Sequence, residues 1–302
     1  MKPVIKQSNK KAAFTIVELL TVMSIIVILI GLLVPSLNMA KRYAKKVRQA
    51  AQFHSIDAAI ELFNNEYDGY PPSDAMDGAP PGNKEPYCGA MKLCEAMMGQ
   101  DLMGFHPNSR FIRTGEISPG GRNLYVPETL NARKGTYLPL ESANAYMLQD
   151  IYDTDVDPFL PASRVLCDVY TREQRSGMKT GMPILYYKAD TANNLHIYSD
   201  AITPFDSQGN IYNYWDNHLL VGLGKPWEVG LTRHKLFSDP DAAPPEDEGK
   251  RFYWNTRNEK ITTAKRPYRA DSYILISAGY DGEYGTVDDI CNFEWKYQES
   301  LP

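Results

Sequence analysis

Four cysteines in 302 residues, Cys88, Cys94, Cys167 and Cys291, include no CxxC pair, so the short redox and zinc signatures are missing. Histidine is almost as scarce: His54, His106, His196, His218 and His234 are scattered, and none forms HExxH. No GxSxG elbow, phosphate-binding P-loop or GxGxxG occurs either. The usual short marks of metallopeptidases, serine hydrolases and nucleotide-binding enzymes are therefore absent, which leaves open only a site assembled from distant residues. Basic residues are depleted past residue 48: nine of the 32 Lys and Arg lie before that point with a single acid, leaving 23 bases against 36 acids and a net charge near −13. Phosphate contacts need clustered Lys and Arg, so nucleic acid is not an expected partner. There is no internal repeat.

What the chain does have is an apolar run. Residues 14–33 contain one charge, Glu18, and as a helix rising about 1.5 Å per residue they would span roughly 30 Å, one bilayer crossing. A carboxylate at that depth is unfavourable by several kcal/mol unless protonated or paired, and no Lys, Arg or His lies within the run. Its partner is therefore expected from outside the segment. A secretory signal peptide would have a shorter apolar core and a clear small-residue cleavage site. An ordinary single-pass anchor is the plainer alternative. Positive charge flanks the run on both sides, Lys2, Lys6, Lys10 and Lys11 before it and Lys41, Arg42, Lys45, Lys46 and Arg48 after it, so charge alone does not orient it.

The residues around Glu18 resemble the N-terminal signature of the type IV pilins and of the pseudopilins of type II secretion: a short basic leader, a small residue, then Phe-Thr-x-x-Glu. Here this reads Lys10-Lys11-Ala12-Ala13, then Phe14-Thr15-Ile16-Val17-Glu18. Ala13 stands where the family usually has Gly. The resemblance implies a leader of residues 1–13, a cut between Ala13 and Phe14 by a membrane-embedded prepilin peptidase, and methylation of the new amine. It also implies that Glu18 serves assembly by pairing with the amine of a neighbouring chain. The remainder would be exported and bound to the bacterial inner membrane by residues 14–34, in contact with the pilus or secretion assembly machinery.

Beyond Pro35, apolar residues keep helical spacing at Leu37, Ala40, Ala44, Val47, Ala51, Ile56, Ala59, Ile60 and Phe63, which predicts an amphipathic continuation over 35–70. Pro35 is expected to loosen a turn, and the Gly69 and Pro71-Pro72 cluster to end the helix. The stretch 73–137, rich in Gly, Pro and Met, reads as irregular. Later segments read as strands: RVLCDVY (164–170), PILYYKA (183–189), LHIYS (195–199) and SYILIS (272–277). The expectation is an α+β fold, a long N-terminal helix packed on a C-terminal antiparallel sheet, with 71–302 as the globular domain. The resemblance covers about a third of the chain and makes the fold pilin-like with a large insertion over 73–265. Of the three disulfide connectivities that four cysteines allow, the short spacing favours a local Cys88–Cys94 bridge.

Near the C terminus, residues 277–290 gather Asp281, Glu283, Asp288 and Asp289 among Gly279, Gly282 and Gly285. Four like charges repel, and Ca²⁺ suits a flexible set of oxygen ligands. The spacing is not that of an EF-hand, and a solvated turn is the plainer reading. The loop resembles the calcium loop of major pseudopilins, which implies side-chain ligands at Asp281, Asp288 and Asp289 and a carbonyl ligand at Ala278.

Overall fold

The computed structural model describes residues 15–228, 233–237 and 248–294. The chain divides into two compact units, Met1–Lys45 and Lys46–Pro302. Helix α1, Ile16–Tyr67, is unbroken through Pro35. In the first unit its described residues are exposed as far as position 44, and it is long and apolar enough to cross a membrane. Asp68 terminates it in the left-handed region, at a φ of 52°.

In the second unit the buried stripe of α1 is Gln49, Gln52, Phe53, Ile56, Ala59, Ile60 and Phe63. The predicted stripe holds from Ile56 onward. Leu37 and Val47 are instead exposed, and two glutamines occupy the buried face. They are there for hydrogen bonds: Gln52 Nε2 donates to the carbonyls of Ser142 and Cys167, at 3.0 and 2.9 Å, and Gln49 Oε1 accepts from Val169 N–H at 2.9 Å.

The chain continues through α2 (Gly89–Met98), a 3₁₀ turn (Pro127–Ala132), α3 (Leu140–Ala143), β1 (Ala145–Met147), α4 (Leu148–Tyr152) and β2 (Arg164–Leu166). Then come β3 (Arg172–Glu173), β4 (Lys179–Thr180), β5 (Leu185–Lys188), α5 (Trp215–Gly222), α6 (Lys250–Asn255), β6 (Tyr273–Ser277) and β7 (Ile290–Cys291). All pairing within sheets is antiparallel: β1 with β2, β3 with β4, and β5–β6–β7 in that order. The fold is α+β.

Strands β5 and β6 of the three-stranded sheet are buried on both faces, which is why they read as apolar runs without alternation. One face presents Tyr186, Tyr273 and Leu275 to Phe53, Ile56, Ile60 and Phe63 of α1. The other presents Leu185, Tyr187, Ile274 and Ile276 to Leu220 of α5, Phe252 of α6 and Tyr284. The register Leu185↔Ile276 and Tyr186↔Leu275 keeps each face consistent across strands.

Three sequence expectations require correction. The stretch 73–137 is not wholly irregular, since α2 lies within it and all ten of its residues are buried. Residues 195–199 form no strand: His196 is buried while Leu195 and Ile197 are exposed, and the backbone is satisfied by Gly209, by Leu195 O accepting from Ile211, and by the Asn210 side chain. The four cysteines are free thiols. Cys88 and Cys94 sit at the cap and in the second turn of α2, and six residues of helix separate Cα atoms by about 9 Å, beyond disulfide reach. Burial pushes both thiols up to about 12.

Candidate functional site

Two sites drew functional expectations from the sequence, and they lie in different units. Ala13 and Phe14, the residues flanking the expected cut, lie outside the described residues. Thr15 and Glu18 do not. Thr15 N–H and its hydroxyl both donate to Glu18 Oε2, at 2.9 and 2.8 Å, and Glu18 N–H donates back to Thr15 Oγ1 at 3.2 Å. This is a capping box: the N-cap threonine and the glutamate three residues on satisfy donors at the helix start that have no intrahelical acceptor. Thr15 thus supplies two neutral donors from within the chain, and no cationic group pairs with Glu18 among the described residues. Glu18 Oε1 accepts no hydrogen bond from a described residue. The role of Thr15 was legible as the Thr-x-x-Glu spacing before an apolar run.

The acidic loop hangs on β6 and returns through β7. Gly279 and Gly285 make its path possible: both have positive φ, 66° and 90°. A Cβ at Gly279 would come within 2.1 Å of the Asp288 carbonyl oxygen, and one at Gly285 within 2.3 Å of Leu236 N. Within this frame the four carboxylates have different partners. Glu283 pairs with Lys225 at 2.9 Å and so leaves the group. Asp281 Oδ1 accepts from Glu283 N–H at 2.8 Å, and Asp288 Oδ2 accepts from Asp281 N–H at 2.9 Å. Asp289 is buried, with Oδ2 accepting from Gly285 N–H at 2.7 Å and Oδ1 buried with no hydrogen-bond partner.

Thr286 links two of the acids. Its Oγ1 lies 2.9 Å from Asp281 Oδ2 and 2.8 Å from Asp288 Oδ1. A hydroxyl carries one proton, so it can donate to only one of them at a time. The second contact is satisfied if a proton resides on a carboxyl, and burial first, then Asp288, push the Asp281 carboxyl up to about 6. Asp289 is pushed well above the carboxylate range by burial, against hydrogen bonds from Gly285 and Thr286 that oppose the shift. The loop thus holds several carboxylate and hydroxyl oxygens, of which Asp289 Oδ1 is buried and unused. Among the described residues no three His, Cys, Asp or Glu side chains converge as metal ligands. Ala278 is buried at the start of the turn. Thr286 escaped the sequence reading because nothing in its spacing marks a hydroxyl between two acids.

Compared with known protein-family models, curated proteins and solved structures, the chain has no match.

Proposed function

We propose that this chain is a structural subunit of a pseudopilus or type IV pilus-like filament, processed by a prepilin peptidase and serving type II protein secretion. The observation that carries the reading is the Thr15–Glu18 pair at the head of an exposed apolar helix, in the Phe-Thr-x-x-Glu context. Thr15 occupies one carboxylate oxygen, and Oε1 is left for the α-amino group that a cut before Phe14 would create on a neighbouring chain. Helix-to-helix contacts that do not close on themselves build fibres. The second unit would then be the periplasmic pilin-like domain, enlarged by the insertion, with Asp281, Asp288, Asp289 and the Ala278 carbonyl binding Ca²⁺. The rival reading is a monomeric membrane-anchored exported enzyme or binding protein.

The test is made in the native host on wild type and Glu18→Ala. The expected mature chain begins at Phe14 by N-terminal mass spectrometry, and sheared or overexpressed fractions contain fibres. Glu18→Ala inserts normally, since it removes a charge from the bilayer, and forms few or no fibres. An intact Met1, or fibres undiminished in the variant, would refute the filament reading and favour the anchored monomer.

A further inference from the structure

A polar cleft of about 410 Å³ opens in the second unit between residues 72–74, the end of β5 and the segment 204–216. Among its lining residues is Asp216, in the first turn of α5 and only 6% exposed. Ser73 Oγ donates to Asp216 Oδ2 at 2.5 Å and accepts from Lys188 N–H at 2.9 Å, so its one proton is committed. Asp216 lines the cleft, and its Oδ1 accepts no hydrogen bond from any described residue. With Ser73 held on Oδ2, Oδ1 of this nine-tenths buried carboxyl is the oxygen a ligand could meet. Burial also holds this group well above the carboxylate range, so that it can donate as well as accept.

The walls supply two further groups. Lys188 borders the cleft, and its ammonium enters no hydrogen bond or ion pair with a described residue. Phe205 is 68% exposed, with Lys84 Nζ 5.8 Å from its ring centre. The asparagines beside them are spent on the frame. Asn210 accepts from Ile197 N–H and donates to Ser207 O, and Asn213 accepts from Trp215 N–H and donates to Thr203 O. The cleft is thus preorganised, with few free groups, as ligand sites are.

Charge narrows the occupant. Asp74 at the rim is paired with Lys92 at 2.9 Å, and Asp190 receives Ala192 N–H and Asn193 Nδ2. Lys188 offsets what remains, so neither sign dominates, which disfavours a phosphate or a bare cation. A ligand that offers an apolar face to an exposed ring and hydroxyls to a carboxyl and an ammonium is a sugar. We propose that this cleft binds a pyranose saccharide, its C–H face on Phe205 and its hydroxyls shared between Asp216 Oδ1 and Lys188 Nζ.

The test uses the full chain in detergent micelles. Methyl pyranosides of glucose, galactose, mannose and N-acetylglucosamine, with their disaccharides, are titrated by saturation-transfer NMR and by fluorescence of Trp215, which adjoins Asp216. At least one is expected to bind with a Kd of about 1 mM, with transfer strongest to the ring C–H protons. Phe205→Ala and Asp216→Asn should each weaken it about tenfold, while Tyr43→Ala, an exposed aromatic far off in sequence and in the other unit, should not. No binding at about 10 mM, or binding undiminished in Phe205→Ala, overturns the proposal. Because the Phe205 ring is exposed, that variant decides the matter even if Asp216→Asn misfolds.

Discussion

His196 and His234 are buried neutral bases of the second unit. Thr256 donates its hydroxyl proton to Phe252 O at 2.6 Å and so must accept from His196, 2.9 Å away, which fixes the Nε2–H tautomer. His234 Nε2 likewise donates to Gly224 O while Nδ1 accepts from Tyr284 N–H. Burial lowers both to about 3, against an ordinary 6.5. The unfolded chain therefore takes up protons that the folded one refuses. The stability they contribute is full above pH 6.5 and is lost as pH falls towards 3. At pH 4.5 this amounts to about 2–3 kcal/mol for each ring. Asp281 acts in the opposite sense: raised to about 6, it contributes stability that is full below 3.8 and lost as pH rises through 6. It is half exposed, so screening reduces its effect to the order of 1 kcal/mol; the buried Asp216, Asp289 and Glu95, also raised by burial, act in the same sense as Asp281. The histidine contribution is therefore read by substitution, from urea midpoints at about pH 6.5 and 4.5. Going from about pH 6.5 to 4.5, His196→Gln, less stable at neutral pH, should lose less stability, or gain more, than wild type by about 2–3 kcal/mol; an identical pH dependence would mean that His196 is not a neutral core group.

Among the elements, α2 joins the two faces of the core, Met91 packing with one cluster and Leu93, Cys94 and Met97 with the other. Its two charges are enclosed. Lys92 Nζ donates to the carbonyls of Asp74 and Met76, at 2.8 and 2.6 Å, and meets the Asp74 carboxylate. Glu95 accepts from Ser109, Tyr125, Tyr87 and Gln100, which saturates its four lone pairs without a cation. Lys92→Met strips two buried carbonyls of their donor and should cost about 2–4 kcal/mol, read as a lower denaturation midpoint. A change under 0.5 kcal/mol would show that water replaces the ammonium. This helix was invisible in the sequence because a helix buried all round has no polar face and hence no period. The lower half of α1 was legible because Ile56, Ala59, Ile60 and Phe63 face one sheet. The strands around Tyr186 and Leu275 announced themselves by continuous apolar character. The segment 195–199 misled because its alternation is real but inverted, with the histidine inward and held by Thr256. In the acidic loop the carboxylates and glycines were readable, whereas the division of labour among them depends on Lys225 and Thr286, which only the folded path brings there.

On the scale of the whole molecule, the loop that closes the β6–β7 edge also pins residues far away in sequence. Tyr284 N–H meets His234, its hydroxyl bonds the Pro183 carbonyl, and Gly285 lies against Leu236. Stabilising the loop should therefore stabilise the entire second unit. Asp289 Oδ1 has no partner, and Asp281 and Asp288 share a single hydroxyl proton. A bound Ca²⁺ would meet the unused oxygen and relieve the repulsion. By linkage, a hundredfold excess over Kd adds about 2.7 kcal/mol, a rise of roughly 5–10 °C in Tm for a unit of this size. The rise should be larger at pH 7 than at pH 5, because protons compete for Asp281 below about 6. Mg²⁺ should achieve little of it, since it demands a tighter octahedron. Asp289→Ala should abolish most of the calcium increment, whatever it does to the baseline, and Asp281→Asn should lessen its pH dependence. The measurement is thermal unfolding of the full chain in detergent, in chelator, Ca²⁺ and Mg²⁺ at matched ionic strength. Coincident midpoints would leave the loop an acidic turn held by Thr286 and Lys225, and would withdraw the C-terminal support for a pseudopilin-like subunit while leaving the Thr15–Glu18 support untouched.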